Sequence, residues 1–398
     1  MPFSKFGLSD PILKAVTEQG YEKPTTIQQK AIPVILRGDN LIAGAQTGTG
    51  KTASFVLPIL EMLSKGETKK KKRIRALILV PTRELAVQVE DNIVKYSKHL
   101  DLTSLAMYGG VDYKPQKEKL IEGVDILVAT PGRLLDMYGQ HAVHFEETEI
   151  LVLDEADRML DMGFIEDINK IISRLPTDIQ NLLFSATLSN PVRELARTAI
   201  SDPTEIAITK HSASKSSINQ WLVTVDKDKK SALLSHILSE NRWQQALIFI
   251  GTKHGAAKLV AQLEKRDIQA EAIHSGRNQA SRTRVLEEFK SGKIKYLIAT
   301  GVAARGIDID NLPCVINYDL PYPADDYVHR IGRTGRAGLT GEALSLVSRD
   351  DFKNLCMIES RLGHLITRKT IEGFTPTKEV PVSILNYVPK HKRDNQEK

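Results

Sequence analysis

Residues 41–63 read LIAGAQTGTGKTASFVLPILEML: a short apolar run, a glycine-rich turn ending in Gly-Lys-Thr, then an apolar stretch of helical length. That order, strand, loop and helix, is the context in which Ala45-Gln46-Thr47-Gly48-Thr49-Gly50-Lys51-Thr52 acts as a phosphate-binding loop, with Ala45 where the first glycine is usual. Glycines let backbone N–H groups converge on phosphate oxygens, and the helix N-terminus adds a favourable dipole. Lys51 is expected to pair with β- and γ-phosphates, and the Thr52 hydroxyl to face Mg²⁺. The bland alternative is a glycine-rich turn with no ligand.

Outward from this segment, short apolar runs alternate with helical stretches along the whole chain, which predicts repeated βαβ units, parallel sheets and an α/β fold. The candidate strands are Leu41–Ala43, Ala76–Val80, Ser104–Tyr108, Ile126–Ala129, Ile150–Leu153 and Asn181–Ser185. The rhythm resumes with Ala246–Ile250, Ala270–Ile273, Tyr296–Ala299, Cys314–Asn317 and Ala343–Val347. A chain of 398 residues suits two domains. The polar stretch KHSASKSSINQ (210–220) lies between the two series. The expected division is a first domain over 1–207, a linker over 208–217, a second domain over 218–375 and a basic tail over 376–398.

The net charge is +6, yet residues 65–75 (KGETKKKKRIR) carry seven Lys/Arg and one Glu, leaving 48 basic and 48 acidic residues elsewhere. Bulk charge therefore says little about partners, and that stretch reads as a solvated connector giving at most salt-sensitive help in binding nucleic acid. No apolar run approaches the ~20 residues of a membrane span. Cys314 and Cys356 lack metal or redox spacing, so a reducing cytoplasm is the expected setting.

The apolar run ILVL (150–153) enters Asp154-Glu155-Ala156-Asp157. A carboxylate at a strand end beside the phosphate loop can hold Mg²⁺ through water, which assigns Asp154; Glu155 can orient and deprotonate an attacking water. A base-selective element is offered by Gly20-Tyr21-Glu22-Lys23-Pro24-Thr25-Thr26-Ile27-Gln28, with Phe3 upstream. The Gln28 amide donates and accepts side by side, matching adenine N7 and N6, and Phe3 offers a stacking face. Read alone, Gln28 would be an ordinary surface glutamine.

With these segments placed, the sequence resembles the DEAD-box ATP-dependent RNA helicases over roughly residues 3–350. PTRELA (81–86), GG (109–110), TPGR (130–133), SAT (185–187), IFI (248–250), QASR (279–282), ATGVAARGIDI (299–309) and HRIGRTGR (329–336) follow in the family's order. The segment DMGF (161–164) looks most like the bacterial RhlE-type branch. The resemblance implies two tandem RecA-like (P-loop) domains, parallel sheets flanked by helices, with ATP and Mg²⁺ as cofactors. It implies that Phe3, Tyr21, Lys23 and Gln28 join the phosphate loop in binding ATP, that Asp308 approaches the ribose, and that Arg333 and Arg336 act as arginine fingers. RNA contacts are implied at Pro81, Thr82, Arg83, Gly110, Thr130, Pro131 and Arg133 of the first half. In the second half they are implied at Gln279, Arg282 and Thr300. Asp157, Ser185, Thr187 and His329 are implied to couple the two sites, the Ser185 and Thr187 hydroxyls bonding Asp157. The expected partners are RNA bound through its backbone and proteins of ribosome assembly or RNA decay, with no membrane and a monomeric chain expected. One position departs from the family: Gly301 stands where Asp is usual. The resemblance implies that ATP sits in a cleft between the two domains, and the missing carboxylate is one that could hydrogen-bond either within the loop or across that cleft. The expected function is local unwinding of short RNA duplexes or remodelling of RNA-protein complexes, in which ATP-driven closure peels off one strand and hydrolysis resets the clamp; an ATP-locked RNA clamp and a DNA translocase are the alternatives.

Overall fold

The computed structural model describes residues 2–45, 48–65, 73–208, 218–241, 243–304, 309, 312–335 and 340–385. The chain forms two compact units, Met1–His211 and Ser212–Lys398. Each unit contains one seven-stranded sheet in which every pairing is parallel.

The first sheet comprises β1 (Leu41–Gly44), β2 (Ala76–Leu79), β3 (Ser104–Met107), β4 (Ile126–Ala129), β5 (Ile150–Leu153), β6 (Gln180–Ser185) and β7 (Thr204–Ala207), ordered β3-β4-β2-β5-β6-β1-β7. The second comprises β8 (Ile218–Thr224), β9 (Ala246–Ile250), β10 (Ala270–Ile273), β11 (Tyr296–Thr300), β12 (Cys314–Asn317), β13 (Gly341–Val347) and β14 (Thr367–Lys369), ordered β10-β11-β9-β12-β13-β8-β14. Adding seven to each strand number converts the first order into the second. The two units are thus the same topology built twice, matching the tandem RecA-like architecture expected.

Helices cover both faces of each sheet, and so the inner strands are apolar at successive positions rather than alternately. In β2, Ala76 and Ile78 join the core on one face with Phe55 and Phe184, while Leu77 and Leu79 join the core on the other with Met137 and Met159. In β9, Ile248 and Ile250 face one core and Leu247 and Phe249 the opposite one. With both faces committed, the functional side chains are left to the strand ends. In a parallel α/β sheet these are the carboxyl ends, where loops lead into helices. No helix among the described residues is long and apolar enough to cross a membrane.

Candidate active site

Strand order divides the carboxyl edge of the first sheet into two neighbouring trios. β5, β6 and β1 end in Asp154-Glu155, Ser185-Ala186-Thr187 and the phosphate loop, with Leu153 opposite Leu183 and Gly44 opposite Ser185. β3, β4 and β2 end in Tyr108-Gly109-Gly110, Thr130-Pro131 and Val80-Pro81-Thr82, with Ala129 opposite both Met107 and Leu79. The residues assigned to nucleotide and those assigned to RNA in this half therefore occupy one edge, side by side.

In the first trio, Ala45 is 2% exposed and its N–H donates to the Ser185 carbonyl at 2.9 Å, so the strand exit is packed and accommodates a methyl group. Gly48 and Gly50 have φ of 75° and 87°, a left-handed conformation that side chains resist. The helix Lys51–Lys65 begins directly afterwards, with Lys51 and Thr52 in its first turn. Thr49 precedes it; Gln46 and Thr47 lie outside the described residues. Lys51 Nζ is buried and has no hydrogen-bond partner among the described residues. A desolvated ammonium of this kind favours an anionic ligand. Asp154, 3% exposed, faces it: burial pushes its carboxyl up to about 6, with Glu155 and Asp157 adding to the rise and Lys51 opposing it. Such a carboxylate gains from a further cation, and with the Thr52 hydroxyl nearby in sequence the donor set fits Mg²⁺.

Glu155 occupies the left-handed region at φ 52°, turning the chain from β5 into the short helix Ala156–Asp161. Its Oε2 lies 3.3 Å from Arg158 Nη1; both side chains are buried, and the contact is ionic without hydrogen-bond geometry. Asp157 Oδ2 accepts from Thr187 N–H at 3.0 Å and from its hydroxyl at 3.1 Å. Ser185 differs from expectation. Its hydroxyl donates to the Thr187 carbonyl at 2.7 Å instead of reaching Asp157, because the chain folds over at Ala186 and brings that carbonyl to it.

Gln28 is 4% exposed. Its Oε1 accepts from Thr25 N–H at 2.8 Å and its Nε2 donates to the Gly50 carbonyl at 3.2 Å. Phe3, 5% exposed, stacks on Tyr21 with centroids 6.4 Å apart and meets Phe6 edge-on. Tyr21 is the exposed ring of that stack, and its hydroxyl bonds that of Tyr96 at 2.9 Å. Lys23 is exposed beside it.

In the second trio, Pro81 is buried and Thr82 caps the helix Arg83–Tyr96, its hydroxyl accepting from Leu85 N–H at 3.3 Å. The Arg83 guanidinium lies on Gly110: a Cβ there would fall 2.0 Å from Arg83 Nη1. Thr130 precedes the helix Pro131–Gly139, and Arg133 projects from its first turn to the Val111 carbonyl at 3.1 Å and the Gln116 amide oxygen at 3.3 Å.

In the second unit the corresponding trio β10-β11-β9 carries the residues assigned to RNA. Gln279 opens the helix Gln279–Lys290 that follows β10, with Arg282 buried one turn on, and Thr300 ends β11. His329 lies half-buried in the helix Asp325–Ile331, and Arg333 follows it, 6% exposed. Arg336 and Asp308 lie outside the described residues. Gly301 faces Arg330, since a Cβ would stand 3.3 Å from Arg330 Nη2. Arg330 is held over the Phe249 ring at 4.8 Å and donates to the Asp319 carbonyl at 2.9 Å. An aspartate at 301 would thus meet an arginine of its own unit.

Residues 25–195 match the family model of DEAD/DEAH box helicases and residues 228–338 that of the helicase conserved C-terminal domain. A Listeria monocytogenes protein named ATP-dependent RNA helicase CshA is 43% identical over 357 residues, 90% of this chain and 68% of that protein. This chain belongs to the DEAD-box ATP-dependent RNA helicases. Helicobacter pylori RhpA, named as such a helicase, is 39% identical over 360 residues, covering 90% of this helicase and 72% of that one. Among solved structures, S. cerevisiae Dbp5 bound to RNA and ADP BeF3 superposes with a TM-score of 0.83 at 32% identity, covering 93% of this chain and 95% of that one. A crystal structure of a DEAD box protein from Methanococcus jannaschii gives 0.53 at 39% identity over 94% and 99%.

Three residues of the helicase's edge escaped sequence reading. Arg158 follows Glu155 by one helical turn, the only signal for their ion pair. Gln116 buttresses a loop and carries no signal beyond being polar, and Arg330 lies within HRIGRTGR (329–336) without a role of its own being legible there. The basic stretch also changes character: Lys65 pairs with Glu61 at 2.8 Å, and Arg75 pairs with Glu149 at 2.7 Å and caps the Leu63 carbonyl. Both serve the fold of the first unit, while residues 66–72 lie outside the described residues.

Proposed function

We propose that this helicase hydrolyses ATP at the β1-β5-β6 ends and uses the energy to separate short RNA duplexes gripped at the β2-β3-β4 ends. The observation that carries this reading is the shared edge: a buried Lys51, without a hydrogen-bond partner among the described residues, with Asp154 and Glu155 in one trio, and Arg83 and Arg133 around Gly110 in the next. Lys51 binds the β- and γ-phosphates, Gln28 hydrogen-bonds the adenine edge, and Glu155 orients the water and takes its proton. Thr52 and Asp154 hold Mg²⁺, which when bound neutralises charge on the phosphates. Arg333 and Arg336 supply the remaining positive charge as it spreads over the γ-phosphoryl oxygens, a contribution of ~10³–10⁵ in rate for such fingers. Asp308 meets the ribose.

RNA is held by Thr82, Arg83, Gly110, Thr130 and Arg133, with Pro81 and Pro131 shaping their turns, and by Gln279, Arg282 and Thr300 of the second unit. Hydroxyls, backbone amides and cations of this kind engage phosphate and sugar, which positions a strand without reading its bases. Because hydrolysis and RNA binding each draw on both units, RNA favours the hydrolytic state over the resting one. Asp157, Ser185, Thr187 and His329 link the two. The unpaired thiols of Cys314 and Cys356 support a cytoplasmic setting.

ATP turnover measured with single-stranded RNA and with DNA of the same sequence tests the substrate class, the 2′-hydroxyl being the difference. Stimulation by RNA alone is expected; equal stimulation by DNA would transfer the proposal to a DNA-directed enzyme.

A further inference from the structure

The loop Gly109-Gly110-Val111 needs support that its own residues do not provide. Gly110 sits at φ 78° and carries no side chain to pack, yet the Arg83 guanidinium lies directly on it. What fixes this loop lies on a helix that the motif set does not include, Lys114–Glu122. That helix is mostly exposed and lysine-rich, and Gln116 is the one residue of it that is buried, at 7% exposure.

The Gln116 amide spans the loop's two sides. Its Nε2 donates to the Tyr108 carbonyl, immediately before Gly109, at 3.2 Å. Its Oε1 accepts from Arg133 Nη1 at 3.3 Å, and Arg133 Nη2 donates to the Val111 carbonyl, immediately after Gly110, at 3.1 Å. Tyr108, Gln116, Arg133 and Val111 thus close a ring of hydrogen bonds around the two glycines. Only a side chain with donor and acceptor side by side completes it. Glutamate would present oxygen to the Tyr108 carbonyl, and lysine would present a cation to Arg133.

We infer that Gln116 is a positioning residue for RNA binding: it fixes the Gly109–Val111 loop and the Arg133 guanidinium before RNA arrives. The inference rests on the reading above that Arg83, Gly110 and Arg133 meet the RNA backbone. Pre-ordering a binding loop removes an entropy cost from association, so the effect falls on RNA affinity and spares the chemistry of a fully bound enzyme.

The test is the full chain with Gln116→Leu, Gln116→Glu and, as a control, Arg83→Ala. The readouts are KM for a single-stranded RNA and kcat in the RNA-stimulated ATPase, basal ATPase, hydrogen exchange of the 109–112 amides, and thermal melting. For Gln116→Leu the RNA KM rises roughly tenfold, the loss of two net hydrogen bonds, while kcat at saturating RNA and basal turnover hold. Exchange in 109–112 accelerates. Gln116→Glu, which retains the Arg133 acceptor, falls between. An unchanged RNA KM in Gln116→Leu, with Arg83→Ala weakened, overturns the inference alone; if Arg83→Ala is also unchanged, the RNA reading of this face fails and takes the inference with it. A global loss of melting temperature and basal turnover in Gln116→Leu, with Gln116→Glu matching wild type throughout, assigns Gln116 a merely structural part and likewise overturns it.

Discussion

The Gln28 side-chain amide donates to the Gly50 carbonyl at 3.2 Å while its oxygen accepts from Thr25 N–H at 2.8 Å. The same donor and acceptor are the pair that would match adenine, so on the proposed reading capture of the base would exchange these internal bonds for bonds to ligand. Gln28 and the phosphate loop are in any case joined directly, through the loop's last glycine.

Gly50→Ala should break that link. The residue sits at φ 87°, and its new Cβ would lie 2.5 Å from Gln28 Nε2 and 3.2 Å from Thr25 Oγ1. The backbone strain alone amounts to about 1–3 kcal/mol, and Gln28 must also swing away. Titration with a fluorescent ADP analogue should show Kd raised at least about tenfold, tenfold being 1.4 kcal/mol. Affinity equal to wild type would mean that Gln28 does not depend on the loop.

Gly110→Ala should strike the other ligand. A Cβ at 2.0 Å from Arg83 Nη1 displaces the guanidinium, and φ of 78° adds strain. RNA affinity by fluorescence anisotropy should fall roughly tenfold or more with nucleotide affinity unchanged. Parallel loss of both ligands would contradict the division of the sheet edge into two trios.

Thr187→Val removes one of the two bonds to Asp157 Oδ2 and keeps the backbone N–H donor. A hydrogen bond to a charged group contributes about 1.5–3 kcal/mol. Since Asp157 shares its short helix turn with Glu155, the expected outcome is duplex separation lowered several-fold more than RNA-stimulated phosphate release. Equal reduction of the two rates would remove Thr187 from the coupling path.

The second unit is expected to show an acid-sensitive knot. Lys230, 2% exposed, donates to Asp351 at 2.9 Å and to the Tyr318 carbonyl at 3.0 Å, with Asp319 at 3.6 Å. Burial by itself raises the Asp351 carboxyl; the Lys230 charge and hydrogen bonds from Lys230 and Ser348 outweigh it and hold the group below its ordinary 3.8. A depressed carboxyl contributes stability that is present above its unfolded value and lost as pH falls through the folded one. Asp351→Asn should lower the stability of this unit by about 2–3 kcal/mol near neutrality, less than the full cost of breaking a buried pair because Asp319 remains. The gap from wild type, followed by denaturant unfolding, should narrow below about pH 4. A gap independent of pH would show that the pair is not ionic in origin.

Strands with two buried faces were legible from their short, uninterrupted apolar runs, and apart from β8 the inner strands of both sheets fall where sequence places them. The strands at one end of each sheet, β7 in the first and β8 and β14 in the second, were not legible. β7 buries only Ile206, and β14 is Thr-Arg-Lys with no apolar residue. β8 begins inside the polar stretch 210–220, where Asn219 and Gln220 conceal it until Trp221. At the site, residue types bound to a motif spacing were readable, and hydrogen-bond partners were not. Thr25 and Gln28 do carry a legible signal, the Thr-x-x-Gln spacing of a capping box. Read that way, it foretells that Gln28 reaches back to Thr25. Gln116 and Arg158 owe their roles to tertiary neighbours, which no local spacing announces.

The central claim is that ATP bound and turned over at the Lys51–Glu155 site powers strand separation. It is tested most directly by displacement of a labelled strand from an RNA duplex of about ten base pairs, short enough for local disruption of a few stacking steps of ~1.4 kcal/mol (a DNA value) to release it. Wild type should displace the strand with ATP and not with ADP, and Glu155→Gln should bind ATP and RNA yet fail to turn over. RNA-stimulated phosphate release with no displaced strand, or displacement undiminished in Lys51→Ala, would contradict the account.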